Sequence, residues 1–122
     1  MKPYTDLNQS KKPAEILPLE SADMYYDVDS YGVQTTPEVL MTSVVRKKDI
    51  PCWSLSALIN ILPDTITDED GTIFGLNIKK NFIEYYNPSM GALYATYHSI
   101  IAEDLVDACY EMIIKLNGLN LL

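Results

Sequence analysis

The side chains with which a small protein most readily performs nucleophilic chemistry are a thiol and an imidazole, and here they are Cys52, Cys109 and one histidine, His98. A catalytic thiol needs a base within hydrogen-bond reach and a further group to orient that base. Pro51 and Trp53 flank Cys52, a setting for packing, and no known nucleophile signature surrounds it. Free cysteine is among the most buried residue types, so Cys52 and Cys109 read as core thiols. They form neither a disulfide framework nor a paired C-x-x-C zinc spacing.

Carboxylates are the next candidates. Asp64, Asp68, Glu69 and Asp70 precede Gly71 in an acidic loop that invites a calcium reading. An EF-hand loop with its glycine at position six would start at Ile66 and end at Asn77, where carboxylates are required and absent. A solvated acidic turn is the plainer account. Glu103-Asp104 could perform acid–base work, but at the start of a helix the macrodipole alone explains them. Gly71, Gly75 and Gly91 are too dispersed to cradle a phosphate. We therefore expect no catalytic residue, no cofactor and no metal site, and an enzyme of unrecognised type ranks last among the functional readings.

The elements that would position a site come from periodicity. Residues 1–20 carry Pro3, Pro13 and Pro18, which block regular hydrogen bonding, and read as an extended arm or tail ahead of one domain over 21–122. Met24-Tyr25-Tyr26 and Val39 to Val45 are rich in strand-favouring side chains, with turn-rich residues Asp27, Asp29, Ser30 and Gly32 between them. The first clear helix runs from Ser54 to Leu62, with Leu55, Leu58, Ile59 and Leu62 on one face and Pro63 as its stop. Strands follow at Thr72 to Lys80, Phe82 to Tyr86 and Ala92 to Ile100, joined by Lys80-Asn81 and by Asn87 to Gly91. A second helix spans about Ala102 to Asn117, its stripe made of Leu105, Cys109, Met112 and Leu116, with Gly118 placed to end it in the left-handed conformation. The fold class is α+β: an antiparallel sheet of three to five strands with two helices on one face.

The tyrosines stand out, nine against two phenylalanines and one tryptophan. If Ile83, Tyr85, Leu93, Ala95 and Tyr97 face the core, then Phe82, Tyr86, Tyr94 and His98 face outward with Glu84 and Thr96. Pairing through the Asn87–Gly91 turn would bring Tyr86 beside Tyr94. Such rings serve as an interaction surface, as cross-strand pairs that stabilise the sheet, or as a seat for the N-terminal arm. Phe82, Tyr86 and Tyr94 are the interaction candidates.

Composition bounds the partners. The chain of 122 residues has nine basic and seventeen acidic side chains, a formal net charge of -8. That surface repels a phosphate backbone, and Arg46, beside Lys47 and Lys48, is the only arginine, so direct nucleic-acid binding is not expected. No stretch is long and apolar enough to span a membrane, and the first residues show no apolar signal core, which sets the expected address as the cytoplasm.

Pro51-Cys52-Trp53-Ser54-Leu55-Ser56-Ala57-Leu58, ending in Ile61-Leu62-Pro63, resembles a segment of small uncharacterised proteins of gut Bacteroidetes. Asp107-Ala108-Cys109-Tyr110-Glu111-Met112-Ile113-Ile114 is similar to their C-terminal helix, and Ala22-Asp23-Met24-Tyr25-Tyr26 to an upstream element. The usual tryptophan near the end of that helix is replaced by Lys115-Leu116. The resemblance runs from about Pro18 onward and implies a bacterial origin, often in a prophage or other mobile element, without implying an activity. The leading functional expectation is a non-enzymatic module that binds another protein or itself. The alternative is an acidic decoy for nucleic-acid-binding proteins, supported by the net charge alone.

Overall fold

The computed structural model describes residues 3–29, 32, 33, 37–39 and 49–122. Its centre is a four-stranded antiparallel sheet in the order β6-β7-β8-β9: Thr65–Thr67, Ile73–Lys79, Phe82–Tyr86 and Thr96–Ile101. Alternation along β7 and β8 turns Phe74, Ile83 and Tyr85 into the core, and helix α3 (Leu105–Gly118) packs across β8 and β9 on that side. Helix α2 (Leu55–Ile61) lies against α3. Val106, Cys109, Met112, Ile113 and Leu116 of α3 and Leu58 of α2 are fully buried. At roughly 1.5–3 kcal/mol for each large apolar side chain, this stripe is a substantial part of what holds the domain together. The α+β class and the antiparallel sheet are as the sequence predicts.

Helix ends follow side-chain chemistry. Ser54 caps α2 by accepting a hydrogen bond from the Ala57 amide at 3.2 Å, and Asp104 caps α3 through the Asp107 amide at 3.0 Å. At the far end of α3 the expected role of Gly118 falls instead to Asn120, which takes φ 57°. The Leu121 amide then donates to the Leu116 carbonyl at 2.9 Å and the Asn120 amide to the Asn117 carbonyl at 3.2 Å, a Schellman closure two residues later than predicted. Leu121 packs on the core as this motif requires.

The N-terminal residues correct the expectation of an extended arm. Leu7–Ile16 forms helix α1, opened by a reciprocal box in which Asp6 accepts from the Gln9 amide and Gln9 accepts from the Asp6 amide. Pro13 sits inside this helix with its ring buried, so packing outweighs the roughly 3 kcal/mol an internal proline costs. Before α1, the Thr5 amide donates to the Trp53 carbonyl at 2.9 Å and the Leu55 amide to the Pro3 carbonyl at 3.1 Å.

These bonds lash the N-terminus to the residues just after β5 (Ile50–Cys52), a strand that pairs antiparallel with β1 (Met24–Tyr26). On its other side β1 pairs with β4 (Glu38–Val39), while β2 (Val28–Asp29) and β3 (Gly32–Val33) pair antiparallel as a separate two-stranded sheet. Val39 lies in β4; the rest of the strand expected over 39–45, and the Arg46-Lys47-Lys48 run, fall outside the described residues.

Candidate functional site

The sheet face turned away from α3 is built by parity. Ile83 and Tyr85 point inward and are fully buried, so Phe82, Glu84 and Tyr86 point outward. Across β7, Lys79 pairs with Phe82, Asn77 with Glu84 and Gly75 with Tyr86. The turn between the two strands is Lys80-Asn81, as expected, and neither residue needs a positive φ.

On the β9 side Ile101 pairs with Phe82 and Ser99 with Glu84, and then the register shifts. Tyr85 pairs with His98 but Tyr86 pairs with Thr96, leaving Tyr97 as an extra residue. This bulge turns Tyr97 and His98 to the same side, where their rings stack at a centroid distance of 4.2 Å. It corrects the outer position expected for His98, which shares the inner row with Tyr85. Burial, and secondarily Lys115, lowers the His98 pKa, and Nε2 is buried without a hydrogen-bond partner.

Two further corrections follow from the same geometry. β9 starts at Thr96, four residues later than predicted, because Pro88–Met90 form a 3-10 turn and Gly91 takes φ 79° before the chain re-enters the sheet. Tyr94 therefore lies in the loop, 70% exposed, and Thr96 is the residue opposite Tyr86. Leu93, expected in the core, is 88% exposed beside it. Phe82 and Tyr86 do share one face as predicted, half-buried and 38% exposed respectively. The apolar residues that sequence reasoning missed there are Ile73 and Ile101, 58% and 74% exposed. Strict alternation from Phe74 could have placed Ile73 outward, whereas alternation from Tyr97 turns Ile101 inward and only the bulge in β9 brings it out.

Glu84 departs most from expectation. It was predicted to point into water, yet at the centre of this face it is only 8% exposed. Asn77 Nδ2 donates to Oε1 at 2.9 Å and Thr96 Oγ1 donates to Oε2 at 3.1 Å. The result is a carboxylate held by two hydrogen bonds, on a largely buried side chain, between an apolar end made by Phe82 and Ile101 and another made by Tyr86 and Ile73.

The remaining candidates are occupied structurally. Cys52 is buried in β5, where its thiol donates to the Thr5 carbonyl at 3.4 Å and accepts from Thr5 Oγ1 at 3.6 Å. Burial raises its pKa, and burial pushes Cys109 up to about 11. His98 lies in a different sheet with Tyr97 as its ring partner, so no thiol–imidazole pair forms. In the acidic segment, Thr65–Thr67 is strand rather than loop, and Asp68 Oδ1 shapes the following turn by accepting from the Asp70 and Thr72 amides, each at 2.9 Å. Among the described residues no cluster of three or more His, Cys, Asp or Glu could hold a metal ion, and no helix is long and apolar enough to cross a membrane.

Comparisons with protein-family models, curated proteins and solved structures find no match to this chain.

Proposed function

We propose that this chain is a protein-interaction module that works through the outer face of its four-stranded sheet, without chemistry of its own. The observation that supports the reading is exposure on one face: Ile73, Tyr86 and Ile101 are exposed together around a held carboxylate, and among the described residues the helix packed on this sheet, α3, lies on the opposite side. Exposed apolar area gathered on one face, with aromatic rings in it, is the usual composition of a binding surface. The setting we propose is the bacterial cytoplasm, as composition and the resemblance to gut Bacteroidetes proteins imply.

A photo-reactive phenylalanine analogue placed at Ile101 or Tyr86 is the direct test. In the expressing cell it is expected to yield discrete cross-linked species, with another polypeptide or with a second copy. The same analogue at Glu111, exposed on α3, is expected to yield none. Equal yields from both surfaces, or none from either, would sink the proposal.

A further inference from the structure

We infer that the outer sheet face binds a basic amphipathic helix of a partner protein, seating one lysine or arginine on Glu84 and apolar side chains on either side. This inference rests on the reading of that face as an interaction surface and specifies its occupant.

The carboxylate is the first argument. A glutamate on an exposed sheet face ordinarily swings into solvent, but Glu84 is 8% exposed, with one oxygen bonded by Asn77 and the other by Thr96. Both donors are neutral, so the negative charge is oriented without being cancelled. Each oxygen also keeps acceptor capacity for a further donor. Lys79, on the same face, is exposed and does not pair with it. Most of the Glu84 side chain is already out of water in the free protein. A cation arriving from a partner therefore meets a charge that is oriented before binding.

The second argument is the pattern around it. Phe82, Glu84 and Tyr86 succeed one another at two-residue steps, so the outer two lie about 13 Å apart along the strand. Ile101 widens one apolar end and Ile73 the other. A helix carrying apolar residues four positions before and four after a central cation spans about 12 Å between them. Helices are also the elements that ordinarily cover an open sheet face.

Charge complementarity selects the partner's sign. The chain carries a net charge of -8, so its field attracts a basic segment over distance. A second copy would approach with the same net charge of -8, and a twofold contact centred on this face would bring two Glu84 carboxylates toward each other.

The test uses the full chain, isotope-labelled, and three synthetic fifteen-residue helical probes. The first carries Leu-x3-Arg-x3-Leu, the second replaces the arginine with uncharged citrulline, and the third replaces it with glutamate. The arginine probe is expected to shift the amide resonances of Phe82–Tyr86 and Thr96–Ile101 saturably. The citrulline probe should bind about tenfold or more weakly, and the glutamate probe not at all. In Glu84→Gln, an isostere that keeps the Asn77 bond, the arginine and citrulline probes should bind alike. Ile101→Ser, at an exposed position that leaves the core untouched, should weaken both.

Equal binding of the arginine and citrulline probes on this face would overturn the cation seat while leaving the face an interaction surface. Shifts confined to the Asp64–Asp70 segment would overturn it as well. Sedimentation showing self-association that Ile101→Ser abolishes would assign the face to a second copy instead. A monomeric chain whose outer face responds to none of the probes would remove both this inference and the function on which it rests.

Discussion

Replacing Thr5 by valine tests whether the first residues are a structural part of the domain. Thr5 is fully buried, and its hydroxyl serves three neighbours at once. It accepts from the Trp53 amide at 3.2 Å, bonds the buried Ser10 hydroxyl at 2.8 Å, and donates to Cys52 Sγ at 3.6 Å. Valine keeps the shape and removes the oxygen. The Trp53 amide and the Ser10 hydroxyl then lose their partner in a site closed to water, at roughly 1–3 kcal/mol each, so the expected loss is about 2–6 kcal/mol. Thr5→Ser is the control: it keeps the hydroxyl and removes one buried methyl, for about 1 kcal/mol. Urea denaturation followed by Trp53 fluorescence reads both. With a slope of about 2 kcal/mol per molar, the valine variant should lose about 1–3 M in midpoint at unchanged slope. A valine variant as stable as the serine variant would show that the hydroxyl holds nothing and that the N-terminus is not seated against β5.

Leu116→Ala, at a fully buried position of α3, should destabilise by about 2–5 kcal/mol in the same assay, and an unmoved midpoint would place the stripe outside the core. Gly118→Ala should stabilise by about 0.4–1 kcal/mol, because Gly118 is helical with open space where a Cβ would stand; a loss would restore it as the left-handed cap. Both thiols should resist alkylation in the native state and react on unfolding, since burial raises both pKa values; rapid native labelling of Cys52 would reopen a catalytic reading. His98 supplies a pH dependence. Its folded pKa is lowered, so the unfolded chain takes up the proton first. Its contribution is therefore fully present above about pH 6.5 and is lost as the pH falls through that value toward the folded pKa. The stability of the native chain relative to His98→Gln should fall over that window, and a flat difference would show His98 to be freely solvated.

The helices were legible because their signals are local. Ser54 before a run of leucines, Pro63 after it, and the stripe through Met112 and Leu116 need only the helical period to be read, and α2 and α3 form where they imply. The alternation in Phe82 to Tyr86 likewise sets Phe82 and Tyr86 on one face and Tyr85 on the other before any packing is known. Even α1 carried a local mark, the Asp6–Gln9 box, which the reading of Pro13 as a breaker overrode.

What only the tertiary structure decided depends on residues distant in sequence. Pro13 is tolerated because burial of its ring against the rest of the fold offsets the missing hydrogen bond. His98 turns inward because a single extra residue in β9 shifts the register, and no two-residue pattern encodes where a bulge will fall. Glu84 is buried because Asn77, seven residues earlier, and Thr96, twelve later, arrive on its two sides only when β7 and β9 flank β8. Alternation assigns a carboxylate to the outer face, but whether it meets water there depends on the neighbours that strand pairing brings.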